Sequence, residues 1–395
     1  MTLHLRYGYD GAGNRISLTY PDGRTEGWTL DAAGRPTAVA LPDGSTDTLT
    51  HDGAGNLTGQ RSPSGAVTQW SYDGAGRLTG TTDLSGTTTI FSQTATLDAA
   101  GQRRALRNGQ GTTSYGYDGA GRLVSALYPD GSGEQDQYDA AGNRLLVTGT
   151  SPLSGTSVTA NGYDAADELL TSTTGLSATV YGYDGNGNQT SASGPSGVTV
   201  SSYNDLGQLT GVTGPGTNLS LVNDGQGDRL RSYEQGTPTW QVRSQAQDLV
   251  GGLSSVASDG QADYAYLDPG AGQAPLTAYN PSTNRGAYLA TDLLGSVRLA
   301  TDQNNAVLGA GTYDAWGAAR PSTTGNAGMA QLAGLQAATP FGYAGQPYDA
   351  GPQTYAMRAR EYSPAQGQFL SVDPHPSDPQ VPVTIDPPCR VRVWT

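Results

Sequence analysis

Tyr9-Asp10-Gly11-Ala12-Gly13-Asn14-Arg15 is the stretch that decides the fold, because the chain repeats it. It returns as Tyr72-Asp73-Gly74-Ala75-Gly76-Arg77 and as Tyr138-Asp139-Ala140-Ala141-Gly142-Asn143-Arg144. Shorter versions stand at Tyr117-Asp118 with Gly121, at Tyr163-Asp164 and at Tyr183-Asp184. With the aspartate as marker, copies fall at Asp10, Asp31, Asp52, Asp73, Asp98, Asp118, Asp139, Asp164 and Asp184, and weaker ones at Asn204 and Asp224. Successive markers lie 20, 21 or 25 residues apart. A period of this length marks a repeat architecture, in which each unit buries its apolar face on the next.

Each copy carries a second turn near its middle, such as Pro21-Asp22-Gly23, Pro42-Asp43-Gly44, Ser85-Gly86 or Pro129-Asp130-Gly131. Between turns lie short segments rich in Thr, Val, Leu, Tyr and Ser, often alternating apolar with polar, as in 16–20 and 78–82. Alternation bounded by glycine turns predicts β-hairpins. A lone hairpin is marginal in water, whereas stacked hairpins pair their edges. The motif aspartate is expected to accept backbone N–H groups within its own turn. The motif tyrosine offers a flat apolar body and a hydroxyl able to reach a neighbouring turn. The residues added in the 25-residue copies are expected to enlarge a turn. No helical periodicity appears before residue 240.

Composition agrees with thin layers rather than one deep core. Hydrophobic residues make up 35% of the 395, and 22 of them are Tyr against 3 Phe. Gly 57 and Pro 23 together stay below the roughly 25–30% that marks disorder. The net charge of −14 repels phosphate, so neither nucleic acid nor an anionic membrane surface is expected as a partner. Cys389 stands alone, which excludes an intramolecular disulfide and a cysteine zinc site. The N-terminus has no apolar signal-peptide core, and no segment approaches the ~18 apolar residues of a membrane span. The chain opens in mid-repeat, which suits a reading frame that once began further upstream.

The array fades after Asp224. Residues 236–287 read as a degenerate transition, and a block without the repeat follows from Tyr288. That block contains Asp292-Leu293-Leu294-Gly295-Ser296-Val297-Arg298 and Tyr313-Asp314-Ala315-Trp316-Gly317. It continues with Pro340-Phe341-Gly342-Tyr343-Ala344-Gly345-Gln346-Pro347-Tyr348-Asp349. It ends with Arg358-Ala359-Arg360-Glu361-Tyr362-Ser363-Pro364 and Gly367-Gln368-Phe369-Leu370-Ser371-Val372-Asp373-Pro374. One short helix is expected at 328–338. The proline-rich tail 375–395 shows no pattern and is expected to be loosely ordered.

These residues resemble the YD, or RHS, repeats (1–235) followed by an RHS repeat-associated core (288–374). The resemblance covers nearly all of 5–374, and the ordered set of core motifs is specific. It implies an all-β fold: tandem β-hairpin repeats forming a long coiled antiparallel sheet, a partial open shell, with a C-terminal core plug region. In this family the sheet spirals into a hollow container, and a variable toxin beyond the core is released inside it by self-cleavage. Secreted bacterial polymorphic toxins, insecticidal toxin-complex subunits and animal teneurins share the architecture, so a secreted or cell-surface setting is implied.

The family's cleavage site resembles that of an aspartyl protease, where two carboxylates sharing one proton supply an acid and a base. By resemblance, Arg360 matches its arginine and Asp373 its first aspartate. The second aspartate, expected about twenty residues on, has no match: Asp378 and Asp386 lie too close and in the wrong context. Ser363 stands where the family usually has Asp. A structural ion pair between Arg360 and Asp373 is therefore the preferred expectation, and self-cleavage the lesser one. Only 22 residues follow Asp373, too few for a toxin domain.

No cofactor and no metal are expected. The turns resemble calcium-binding β-rolls in composition, but those repeat every nine residues. His4, His51 and His375 lie far apart, and His51 simply replaces a motif tyrosine. Three functions follow. The first is a structural shell segment that encloses or presents an absent C-terminal toxin, with that toxin or further RHS shell chain as partner. The second is a cell-surface module whose Tyr and Asp rows contact carbohydrate. The third is a residual self-processing protease.

Overall fold

The computed structural model describes residues 4–62, 64–225, 227–240, 242–244, 255–267, 274–283, 285–320 and 326–373. The tail 375–395, with Asp378, Asp386 and Cys389, lies outside them. From Arg6 to Trp240 the described residues form consecutive antiparallel strands, each hydrogen-bonded to the next along the chain. The all-β hairpin array expected from the sequence is present.

The motif has one geometry throughout. Asp10 N–H donates to the Asn14 carbonyl at 2.9 Å, and Gly13 N–H to the Asp10 carbonyl at 3.1 Å. The same pair of bonds recurs at Asp31, Asp52, Asp73, Asp98, Asp118, Asp139, Asp184, Asn204 and Asp224. Gly13 has φ 87, the left-handed region in which a Cβ is strained. Where glycine is missing, Asp167 takes φ 64 in its place, a conformation that Asp tolerates better than most residues. In most copies the register shifts by one residue just before the marker, for instance between Ser71 and Tyr72 and between Gln137 and Tyr138. Each Tyr-Asp is thus a β-bulge feeding a tight turn, which tilts the tyrosine along the sheet.

The second turn explains the uneven period. The 21-residue copies close it with five residues, as at Tyr20–Arg24, where Tyr20 N–H meets the Arg24 carbonyl at 2.8 Å. The 20-residue copies use two residues between paired ends, such as Thr174 and Ser177 or Gly214 and Thr217. In the 25-residue copies the structure corrects the expectation of an enlarged turn. Ser85 pairs with Thr88 across a two-residue turn, and the strands lengthen instead, to Leu78–Ser85 and Thr88–Leu97. A bulge between Asp83 and Leu84 absorbs an odd residue. The reason is parity: an even addition per strand keeps each side chain on its own face.

Two compact units are present: Met1–Ala95 with Thr239–Pro347, and Thr96–Pro238 with Tyr348–Thr395. In the first, a seven-stranded sheet built from strands between Val242 and Ala310 lies on the inner face of the hairpins. Leu18, Tyr20, Trp28, Val39, Leu41 and Leu49 pack there against Ala257 and Ala265. A second cluster joins Val256, Tyr264, Tyr266, Leu289, Val297 and Phe341 to Leu335 of the helix Asn326–Ala338, which includes the expected helical segment. The hairpin turn does not stop at Asp224. Asp292, Asp302 and Asp314 repeat its backbone bonds, so the block from Tyr288 is built partly from the same device. In the second unit, strands Tyr348–Asp349, Thr354–Met357, Arg360–Ser363 and Gln368–Phe369 form a four-stranded sheet.

Candidate functional site

The motif residues are occupied by their own fold. Asp10 Oδ1 accepts from Ala12 and Asn14 N–H, both at 2.9 Å, and its Oδ2 accepts from the Asn14 amide. Asp73, Asp118, Asp139, Asp164 and Asp184 accept from their own turns in the same way. Where position five is arginine, an ion pair closes the turn, as at Arg35–Asp31, 2.6 Å. The Arg35 side chain holds the Asp31 carboxyl down at about 2. The hydrogen bond from Asn14 lowers Asp10 likewise.

The motif tyrosines reach back one repeat. Tyr72 donates to the Leu57 carbonyl (2.8 Å), Tyr117 to Arg103 (3.1 Å), Tyr138 to Leu123 (2.6 Å), Tyr163 to Arg144 (3.3 Å) and Tyr183 to Leu169 (3.1 Å). Each acceptor opens the strand after the preceding turn, so the hydroxyl stitches neighbouring hairpins. Position-five side chains add a second row of links along the turns: Arg122 donates to the Asp139 carbonyl at 2.9 Å and Asn143 to Asp167 at 2.7 Å. The motif tyrosines named here are half-buried; Tyr9 alone among them is exposed.

Arg360 and Asp373 belong to the second unit. Arg360 Nη2 lies 3.0 Å from Asp373 Oδ2, and its guanidinium sits 3.6 Å from the centre of the Phe369 ring. Arg360 opens the strand Arg360–Ser363, and the stretch before Asp373 is fixed to the array. Gln189 N–H donates to the Leu370 carbonyl at 2.9 Å, and Tyr203 to the same oxygen at 3.3 Å. The next carboxylate along, Glu361, is fully committed elsewhere. Its Oε1 accepts from Arg229 at 2.7 Å and its Oε2 from Thr354 at 2.9 Å, while Arg229 also holds both oxygens of Asp349 at 2.8 Å. Burial pushes Glu361 up to about 7 despite the Arg229 charge beside it. Leu209, Leu221, Asn223, Gly227 and Ser371 surround these arginines in a narrow cleft. A proton-sharing dyad needs two carboxylates; the ion pair at Arg360 among the described residues is with Asp373. Among the described residues no group of three or more metal-ligating side chains comes together.

The sequence reading missed the buried polar groups. Arg229 with Asp349 and Glu361 carried no local signal, since the partners lie more than a hundred residues apart. Glu26 and Asp47 did carry one: each alternates with an inward apolar residue, Glu26 with Trp28 and Asp47 with Leu49. All four are buried.

The comparisons agree with this geometry. The teneurin YD-shell model matches residues 68–380, and the RHS repeat model matches 9–46 and 31–67. This chain belongs to the teneurin YD-shell family and carries RHS repeats. Its fold is similar to that in a Photorhabdus luminescens Tc holotoxin pore, with TM-score 0.58 and 15% identity over 98% of this chain and 20% of that one. A TcdB2–TccC3–TEV crystal structure gives TM-score 0.57 and 17% identity over 99% of this chain and 21% of that one. The chain thus spans about a fifth of the length of these structures. A search of the curated proteins found no match. No helix among the described residues is long and apolar enough to cross a membrane.

Proposed function

We propose that this chain is a structural segment of a secreted toxin shell, enclosing or presenting a C-terminal toxin that lies outside these residues. The observation that carries the reading is the use made of the motif: Asp accepts from its own turn and Tyr bonds the hairpin before it. Side chains spent in this way build a wall and are poorly placed to bind carbohydrate. In this reading residues 1–235 are the wall, 288–374 the plug, and Arg360 with Asp373 a remnant ion pair lacking the second aspartate of a protease.

Further shell chain is the natural partner. Val158, Val180, Val198 and Val200 are exposed on one stretch of hairpins in the second unit, each half open to solvent. Apolar residues grouped on an open sheet favour cover by another surface. The test is co-expression with the adjoining reading frames, followed by affinity capture and native mass measurement. A stoichiometric complex with a YD-repeat chain or a toxin is expected. A monomer that ignores both and binds oligosaccharide would overturn the proposal. Intact mass after prolonged incubation tests the remnant site: unchanged mass is expected, and loss of the segment beyond Asp373 would make it a protease.

A further inference from the structure

Glu26 is a fully buried carboxyl group of the first unit. It lies in the strand Thr25–Leu30, with no solvent exposure, on the face that also buries Trp28. Its Oε1 accepts the Tyr266 backbone N–H at 2.8 Å, and its Oε2 lies 2.9 Å from the Tyr20 hydroxyl. The Tyr20 oxygen is also 2.9 Å from the Tyr264 carbonyl. Tyr20 has one proton and faces two acceptors. A protonated Glu26 resolves this: its O–H donates to the Tyr20 oxygen, and Tyr20 donates to the Tyr264 carbonyl. With a carboxylate, one of the two acceptors loses its donor in a buried place, which is costly.

The surroundings do not offset a negative charge. From its own hairpin Glu26 faces Tyr20 and, more distantly, Arg15, whose guanidinium sits over the Trp28 ring at 5.3 Å. From the facing strand come Tyr264, Tyr266 and Asp263, and Asp259 holds the Tyr264 hydroxyl. These are neutral or acidic.

We propose that Glu26 is a protonated latch between hairpin 15–30 and segment 256–266, and that loss of its proton to solvent releases that segment. Burial pushes this carboxyl up to about 8 from 4.5. The closed latch then holds a proton that the open one gives up. Closure is therefore complete below 4.5 and weakens as pH rises towards 8, above which both states are ionised and the effect levels off.

Hydrogen exchange of the full chain across this range tests the latch, with Glu26→Gln as the reference. Glutamine keeps every bond of the protonated form, donating to Tyr20 and accepting from Tyr266, but cannot ionise. The opening constant of 256–266 in the wild type, divided by that of Glu26→Gln, is expected to rise up to about tenfold per pH unit. A ratio that stays flat, or a Glu26→Gln segment looser than wild type at pH 6, overturns the proposal. Carbon-13 labelling of the glutamate carboxyls reads the proton directly in the wild type, should the variant not fold. Two glutamates titrating well above 4.5, Glu26 and Glu361, are expected, and only one doing so overturns it.

Discussion

Replacing Arg229 with methionine should unlock the second unit. Arg229 is buried and makes three charge-assisted bonds, two to Asp349 at 2.8 Å and one to Glu361 at 2.7 Å. Removing it leaves two carboxylates facing each other, one of them fully buried. Breaking a buried ion pair from one side costs about 3–5 kcal/mol, chiefly through the stranded charge. The loss should be pH-dependent. Glu361 stands at about 7 even with the arginine present, and losing that charge lets it move further up. The variant's deficit should therefore be large at pH 8 and narrow towards pH 5, where protonation removes the charge. Unfolding of a chain with two compact units is not one transition, so the assay is native-state hydrogen exchange at amides of Thr354–Met357 and Arg360–Ser363. Adding Asp349→Asn and Glu361→Gln should restore much of the loss, since neutral groups strand no charge. A cost under about 1 kcal/mol at pH 8, or one unchanged at pH 5, would refute the reasoning, because the triad would then behave as a solvated surface pair.

Three smaller tests probe the repeat and its cap. Tyr138→Phe deletes the 2.6 Å bond to Leu123 while keeping the ring, and should cost about 1 kcal/mol, read as faster hydrogen exchange in Gly133–Tyr138. Asp31 should titrate near 2 by NMR, and Arg35→Ala should return it towards 3.8; since the folded value is depressed, the turn's stabilisation is present above 3.8 and lost as pH falls through 2. Gly309→Ala should dislodge the helix Asn326–Ala338, because the new Cβ would stand 2.0 Å from the Leu335 nitrogen; a cost of about 3 kcal/mol, read as faster exchange in the helix, is expected.

The repeat was legible because its causes are local. Asp10 to Arg15 contains the acceptor, the left-handed glycine and the start of the strand that follows, so six residues dictate one turn and the chain states it many times. The helix at 328–338 was legible for the same reason. The strand extension in the 25-residue copies was not, because length alone does not say whether Ser85-Gly86 closes early or late; cross-strand pairing of Ser85 with Thr88 decides it. The turns at Asp292, Asp302 and Asp314 were hidden by bulky or amide residues where small ones were expected, such as Trp316 and Asn305. Buried charges were least legible. Alternation places Glu26 inward beside Trp28, but only the approach of Tyr266, far along the chain, makes that position tolerable.

The two interchangeable mid-repeat turns bear on how such a chain grows. A five-residue closure and a two-residue closure alter length by one residue, yet both return the next strand to a Tyr-Asp bulge of the same form. Genetic recombination between any two of these junctions would splice hairpins in or out as whole modules, with no seam in the hydrogen bonding. Size is then a freely adjustable property of the scaffold, and the sheet can lengthen one hairpin at a time.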